Sequence, residues 1–370
     1  MSTDSFFERQ REHSRIKAEI VSKYLPAWAN VMKGRARGPL NYLDLFAGPG
    51  YYEDRRPSTP ILAVQAIAAR DDLASLVRTV FNEKIPARAQ ALRQALDALP
   101  EAARLRYRPQ VFHGETNAEL AEVLRNTALA PTLAFIDPCG YKGLTRVLVL
   151  AILKNWGSEC IFFLNFDAVR RALQNLTVEP HMQALFGTER AARLRELLPC
   201  LSPREQEPTV LRHLEAAMKE VGAQYVLPFR LRVTEPQRRL YHVVFVTKNA
   251  LGLKIMKGVM WSVSTDLAAG IGSYEYAAED ERCPSLFEPI TPVDDLAPEL
   301  LRYFAGQTIS VGQVFQEHQT RSPYIEKHYK TALLGLEAEG KITVIVPEGK
   351  RRRANTFPDW LVVQFPPQES

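Results

Sequence analysis

The feature that most constrains the fold is residues 41–50, where an apolar strand runs directly into a glycine turn. Asp44 stands at the end of the strand. Gly48 and Gly50 follow at positions where a backbone without Cβ atoms lets a ligand approach closely. The spacing is not the G-x-G-x-x-G of a dinucleotide site, and no P-loop lysine follows. The stretch therefore predicts a nucleotide-cofactor loop, with an ordinary tight turn after a strand as the alternative.

Length and composition predict a globular protein of two domains. A chain of 370 residues exceeds one typical domain, and its hydrophobic and charged fractions, 46% and 24%, are ordinary for soluble proteins. The net charge of +5 is a weak indication of an acidic partner such as nucleic acid. Because the N-terminus lacks an apolar leader and no long apolar run follows, we expect a cytoplasmic protein without membrane contact.

The four cysteines indicate neither a disulfide framework nor a metal site. Cys139, Cys160, Cys200 and Cys283 are widely spaced and form no C-x-x-C pair. The last three are expected to be small core residues or partly exposed ones, whereas Cys139 lies in a motif of its own.

Alternating apolar strands and helices predict an α/β fold with a doubly wound, Rossmann-like sheet. After the first strand, further strands are expected at 76–81, 132–136 and 160–166, and residues 111–117 are expected to be the third strand and its exit. Helices are expected at 8–33, 61–67, 86–99 and 143–155. A polar helical insertion over about 167–225 precedes two more strands, 227–233 and 240–246, and a helix at 251–262. We expect these elements to form one domain, residues 1–290, followed by a proline-rich and acidic linker over 283–295.

A second domain is predicted over residues 297–370. Three helices are followed by two strands that a basic segment joins, which is the plan of a winged helix-turn-helix. In this fold a recognition helix enters the major groove and the wing follows phosphates. The predicted nucleic-acid-binding residues are Lys350, Arg351, Arg352 and Arg353. A protein-docking or dimerisation module is the alternative, because folds are reused in that way.

The D-L-F-A-G-x-G segment of residues 44–50 resembles the first motif of class I S-adenosylmethionine-dependent methyltransferases, so S-adenosylmethionine is the expected cofactor. An acidic residue at the end of the second strand binds a ribose in this fold, and Glu83 stands there. After the third strand, Glu115 or Asn117 is a candidate for the adenine amino group, although this exit is also a plausible helix cap. The predicted cofactor-binding residues are Asp44, Phe46, Ala47, Gly48, Pro49, Gly50, Glu83 and Glu115.

The fourth strand ends in Asp137-Pro138-Cys139-Gly140-Tyr141, at the sheet edge where open α/β sheets bind ligands. These residues resemble the Asp-Pro-Pro-Tyr type motif of methyltransferases that act on exocyclic amines of bases. In that motif an acidic or amide side chain and a carbonyl accept hydrogen bonds from the amine, while the aromatic ring stacks on the base. We predict that Asp137, Pro138, Cys139, Gly140 and Tyr141 hold the methyl acceptor, flipped out if it lies in a duplex.

Two alternatives stay open for this loop. Carbon-5 cytosine methyltransferases also pair D-L-F-A-G with a Pro-Cys, so Cys139 would be a nucleophile, with Lys142 supplying the positive charge that favours a thiolate. The rest of the Pro-Cys context of those enzymes is missing here. The other alternative is an Asp-Pro turn with a buried cysteine.

Together these motifs resemble the three-Cys-motif partner protein family, which is methyltransferase-like and has a GMT-like winged helix at its C-terminus. The residues that carry the resemblance are His13, Lys17, 44–50, 57–62, 136–140, 165–166, 247–248, Gly252 and the tail. The family usually has an aromatic residue in place of Cys139, which argues against a nucleophilic cysteine. The resemblance implies that His13 and Lys17 border the site, against the alternative of a solvated helix face.

The expected function is methyl transfer from S-adenosylmethionine to an exocyclic amine of a nucleic-acid base. The resemblance also implies a partner, a three-cysteine radical iron–sulfur protein related to DNA-lesion repair. The alternative function is therefore a non-catalytic or accessory nucleic-acid-binding component that serves this enzyme.

Overall fold

The computed structural model describes residues 12–233, 239–264, 275–277, 292–320, 322 and 324–367. The chain divides into two units, Met1–Val259 and Met260–Ser370. Most of the predicted linker, residues 283–291, lies outside the described part, and so does Cys283; a helix begins at Pro292. The domain boundary at 290–297 therefore stays a prediction. No helix among these residues is long and apolar enough to cross a membrane.

The described residues of the first unit form seven strands of one sheet, in the order β3-β2-β1-β4-β5-β7-β6. Strands β1 to β5 run parallel, and β7 is antiparallel to both of its neighbours, β5 and β6. The strands are β1 Leu40–Asp44, β2 Val77–Glu83, β3 Gln110–His113, β4 Thr132–Ile136, β5 Glu159–Asn165, β6 Tyr225–Val233 and β7 Arg239–Thr247. This arrangement confirms the predicted Rossmann-like, doubly wound fold.

Helices connect the strands and cover the sheet. Up to β5 they are α1 Glu12–Met32, α2 Thr59–Ala68, α3 Asp71–Ala74, α4 Pro86–Asp97, α5 Ala118–Asn126 and α6 Arg146–Leu153. The stretch predicted as a helical insertion contains α7 Phe166–Leu173, α8 Glu179–Phe186, α9 Thr188–Leu197 and α10 Pro203–Glu220, and α11 Ala250–Ser262 follows β7. Prolines in the first turns of α2 and α4 explain where those helices begin, because a first-turn residue needs no N–H partner.

The position of β1 decides where a ligand can bind. It lies between β2 and β4, so the chain leaves β1 toward one side of the sheet and later returns to its other side. Ligands of open α/β sheets bind outside the carboxyl ends of the strands at such a reversal point. The carboxyl ends of β1, β2 and β4 carry Asp44, Glu83 and Asp137.

A buried carboxyl group ties α1 to the sheet far from that edge. Glu159, the first residue of β5, accepts hydrogen bonds from the hydroxyl of Tyr24 in α1 (2.5 Å) and the hydroxyl of Thr247 in β7 (2.6 Å). Burial raises the pKa of Glu159 to about 7. Helix α1 is therefore held by a polar contact as well as by its buried apolar face.

The second unit has its own apolar core and three-stranded sheet. Its elements are β8 Glu275–Ala277, α12 Pro292–Tyr303, β9 Thr308–Ser310, α13 Val311–His318, α14 Glu326–Ala338, β10 Thr343–Ile345 and β11 Val362–Gln364. Strand β11 pairs antiparallel with β10 and β9. The predicted three helices and hairpin are present. The sequence did not indicate β9, because three residues show no alternation and its pairing with β11 is long-range.

Gly50 offers a test of the turn geometry. Its φ is +91°, and a Cβ atom there would lie 3.1 Å from Leu92 Cδ1 and 3.2 Å from the Cβ of Ala95. We expect Gly50→Ala to lower the unfolding free energy by about 1–3 kcal/mol, because left-handed strain and overpacking add. Thermal unfolding of the full chain measures the effect. Gly34→Ala, where no atom lies within 4 Å, is the matched control; equal midpoints for the two variants would contradict the expectation.

Candidate functional site

The carboxyl group of Asp44 is buried at the carboxyl end of β1. One oxygen, Oδ1, accepts a hydrogen bond from the Phe46 N–H at 3.1 Å, and the other, Oδ2, has no partner among the described residues. Burial raises the pKa of Asp44 to about 8. The Phe46 N–H and Lys17 oppose this rise, and the negative charges of Asp137 and Glu83 add to it. An unpartnered buried oxygen is costly, so this atom points to a missing donor or cation.

Glu83 connects the ends of β1 and β2. Its Oε2 accepts a hydrogen bond from the Gly48 N–H at 2.9 Å, and its Oε1 accepts one from the Ile85 N–H at 2.8 Å. Gly48 has a φ of +71°, which turns its N–H toward the neighbouring strand. The Ala47 N–H donates to the Asn82 carbonyl at 3.0 Å. The glycine turn is thus fixed onto the end of β2, and each Glu83 oxygen keeps acceptor capacity.

Asp137 is held by a lysine from the first helix. Lys17 Nζ lies 2.5 Å from Asp137 Oδ2, with side-chain exposures of 3% for the lysine and 20% for the aspartate. The same Nζ lies 3.9 Å from the ring centroid of Phe163 in β5. The ammonium group is therefore enclosed by one carboxylate and an aromatic face, which compensates its burial. The second oxygen of Asp137 remains able to accept a hydrogen bond.

An aromatic group lines the same region. The ring of His13 stacks on Tyr241 at 4.9 Å and on Phe163 at 6.0 Å, and Phe163 stacks on Tyr241 at 5.0 Å. Tyr52, in the loop after the glycine turn, is hydrogen-bonded to Ser14. Burial raises its pKa, and so does the charge of Asp137. Helix α1 thus contributes His13, Ser14 and Lys17 to the surroundings of Asp137.

The rest of the Asp137 loop lies nearer the surface. Pro138 is buried, Cys139 is exposed and Tyr141 is half-buried. The Tyr141 ring lies 5.8 Å from the ring of His181 in α8, so the helical insertion contacts this loop. Gly140 has a φ of +113° with open space around it. Cys139 is thus not the buried cysteine of the turn alternative, while Cys160 is buried in β5.

Two predicted adenine contacts lie on the surface after β3. The Glu115 carboxylate pairs with Lys84 Nζ at 2.6 Å, and this hydrogen bond lowers its pKa. Asn117 caps α5, since its side chain accepts a hydrogen bond from the Leu120 N–H. Glu115 is exposed and paired with Lys84, and its role in adenine binding stays a prediction.

The four basic residues of the wing are not equivalent. Arg352 donates to both Glu337 oxygens at 2.5 and 2.6 Å, and its Nε donates to the Thr356 carbonyl at 2.7 Å. Lys350, Arg351 and Arg353 are exposed. A bidentate pair of this kind holds the wing to α14, so Arg352 is better suited to fix the wing than to bind phosphate.

Sequence reasoning missed Phe163 and Tyr241 as members of this group. Both are ordinary apolar strand positions in the sequence. Only the antiparallel pairing of β5 with β7, in which Phe163 faces Val243, brings the two rings together. Tyr52 was indicated only through the length of its loop, which is typical of ligand binding.

Known families give one match. Residues 275–349 match the model of the GMT-like wHTH domain, which supports the winged helix predicted for this part of the chain. The sequence has no significant match among curated proteins. Among the described residues, no group of three or more His, Cys, Asp or Glu side chains could hold a metal ion.

Solved structures align with about three fifths of the chain at low identity. A protein from Legionella pneumophila is 14% identical over 62% of this chain and 84% of its own, with a TM-score of 0.35. The YhhF protein of Escherichia coli is 14% identical over 62% of this chain and 87% of its own, with a TM-score of 0.30. The methyltransferase domain of bacterial CtHen1 is 13% identical over 62% of this chain and 100% of its own, with a TM-score of 0.33.

Asp44→Asn tests the raised pKa. A carboxyl whose pKa rises from 3.8 to about 8 on folding stabilises the protein below its unfolded pKa, and this contribution is lost as the pH rises toward 8. We expect the unfolding free energy to fall less between about pH 4 and pH 8 in the variant than in the wild type. Urea unfolding at several pH values measures this slope. Exposed Asp97→Asn should keep the wild-type slope, and equal slopes for all three proteins would contradict the assignment.

Proposed function

We propose that the protein is an S-adenosylmethionine-dependent methyltransferase that acts on nucleic acid, with an exocyclic amine of a base as the acceptor. The observation that carries the proposal is the buried, unpartnered Oδ2 of Asp44 beside the glycine turn, on the strand next to the one that ends in Asp137. The unpartnered Asp44 oxygen would accept a hydrogen bond from a cationic donor, and Asp137 would accept one from an amine.

The charge of the site supports this cofactor. Asp44, Glu83 and Asp137 place three carboxyl groups at one sheet edge, and Lys17 is the cation that opposes them at Asp44. S-adenosylmethionine carries a sulfonium and an ammonium group, which suit such a site electrostatically. Asp44 Oδ2 would accept from the ammonium, Glu83 from the ribose hydroxyls, and Gly48 and Gly50 would leave room for close approach.

The residues of the Asp137 loop suit an amine acceptor. When bound, S-adenosylmethionine supplies a methyl group on a positively charged sulfur. The free oxygen of Asp137 would accept a hydrogen bond from the amine and so orient its lone pair. Lys17 would keep the carboxylate in place, and half-buried Tyr141 would stack on the base. These contacts position the acceptor and leave the reactivity to the cofactor.

The winged helix is proposed to hold the nucleic acid. Exposed Lys350, Arg351 and Arg353 offer phosphate contacts, while Arg352 is engaged within the domain. A protein-docking role for this unit is the competing proposal, since the fold serves both purposes.

One observation favours the second candidate, an accessory component without turnover. Lys17 already occupies one oxygen of Asp137, so this aspartate can serve as a structural anchor of α1. Under this candidate the protein is a three-Cys-motif partner protein that brings nucleic acid to a radical iron–sulfur repair enzyme. A methylated nucleoside formed in a reaction containing only this protein, cofactor and nucleic acid would exclude it.

Calorimetry with S-adenosylmethionine tests the cofactor half. We expect the wild type to bind and Gly48→Arg to lose about 100-fold in affinity, or about 2.8 kcal/mol, because the side chain would fill the turn and strain it. Gly34→Arg introduces the same side chain in open space and should bind like the wild type. Absence of binding by the wild type would overturn the proposal.

Asp137→Ala tests the acceptor half. Transfer of a labelled methyl group to total RNA and to genomic DNA should fall about 100-fold or more, because the amine loses its oriented acceptor. Cofactor affinity should remain within a few-fold of the wild type. Asp97→Ala, at an exposed position, is the control. If Asp137→Ala keeps full activity, the loop does not hold the acceptor, and mass spectrometry of the nucleosides identifies the base that is modified.

A further inference from the structure

A basic groove lies in the helical insertion of the first unit, between α9 and α10. It encloses about 610 Å³, and its charged lining consists of Arg190 and Arg193 with Glu189 from α9, and Arg212 and His213 with Glu220 from α10. Arg190 and Arg193 are three residues apart, so their side chains lie side by side on one face of α9. The groove thus presents guanidinium groups from two helices to the same space.

The positive charges that line the groove outnumber its carboxylates. Glu220 is shared by Arg190, at 2.6 Å, and by Arg146, at 3.1 Å. Arg212 donates to the neutral hydroxyl of Thr209 at 3.1 Å. Within the described part of the chain, no carboxylate lies within ion-pair distance of Arg193 or Arg212. Both side chains are exposed, so neither is needed in the core.

The same positive charges act on the pKa of His213. Its pKa is lowered, first by partial burial and then by the positive charges of Arg190, Arg193 and Arg212. Three arginines line the groove against two carboxylates, Glu189 and Glu220, and Arg146 shares Glu220, so the positive charges outnumber the negative ones.

We propose that this groove binds the phosphate backbone of a nucleic acid. The proposal rests on the proposed function and adds a second contact surface, distinct from the wing. Guanidinium groups match phosphate oxygens in a bidentate way, and several of them along a groove suit successive phosphates better than one small anion. The insertion also reaches the acceptor loop through the contact of His181 with Tyr141. A nucleic-acid strand bound by the groove would thus be held on the helical insertion, which contacts the acceptor loop.

The test measures the affinity of the full chain for labelled single-stranded DNA, single-stranded RNA and duplex DNA by fluorescence anisotropy at several salt concentrations. Arg193→Ala with Arg212→Ala should weaken binding of the preferred nucleic acid about tenfold and reduce the salt slope by about 1.4 for a single strand or about 1.8 for duplex DNA, because two phosphate contacts are lost. The matched control is Arg37→Ala with Arg108→Ala, which removes two exposed arginines elsewhere in the first unit. The control should keep the wild-type slope.

A variant of the wing separates the two surfaces. In a chain with Lys350→Ala, Arg351→Ala and Arg353→Ala, the groove substitutions should cause a further loss of affinity. Unchanged thermal unfolding and unchanged calorimetric binding of S-adenosylmethionine show that the groove variant remains folded. If the groove and control variants bind nucleic acid equally well, the groove proposal is wrong while the proposed function stands.

Two other outcomes would overturn the groove proposal. If the wild type binds none of the three nucleic acids, the nucleic-acid part of the proposed function fails and the groove proposal fails with it. Titration with inorganic phosphate distinguishes a small-anion site. Saturable phosphate binding that depends on Arg193 and Arg212, with oligonucleotide affinity independent of them, would overturn the proposal in favour of a free phosphate ligand.

Discussion

Burial of the Asp44 carboxyl group is the constraint on which the candidate site depends. Its environment disfavours the charged form, and two further carboxyl groups, of Glu83 and Asp137, add to the negative charge. A folded chain tolerates such a group when hydrogen bonds, a proton or a cation compensate it. The Phe46 N–H and Lys17 do so in part. The Oδ2 atom of Asp44 is buried without a hydrogen-bond partner among the described residues, which is unfavourable in the folded chain. The same atom is therefore the one best suited to accept a hydrogen bond from a ligand.

The first helix has a larger role than its place in the sequence indicates. At one end Lys17 reaches Asp137, and further along Tyr24 donates to the buried Glu159. The helix therefore contacts both a residue after β4 and the first residue of β5. Both contacts hold the same helix on the sheet.

Prediction from the sequence worked where the pattern was local. Apolar runs, glycines and N-terminal prolines identified the strand that ends in Asp44, the strand before Asp137 and the helices between them. Prediction was less complete where a role depended on partners. Glu115 is paired with Lys84 on the surface, and Arg352 is engaged by Glu337, yet both have the residue types that their predicted roles require. Residue type does not reveal which opposite charge folding brings near.

The sequence by itself determined that three carboxyl groups stand at the ends of strands and that a winged helix follows, because strand ends, turns and helix starts are encoded within short segments. Only the tertiary structure decided that Lys17 meets Asp137, 120 residues away, that Phe163 stacks on Tyr241, and that arginines of two helices share one groove. Such contacts depend on register and helix packing between distant segments, and no local pattern specifies them.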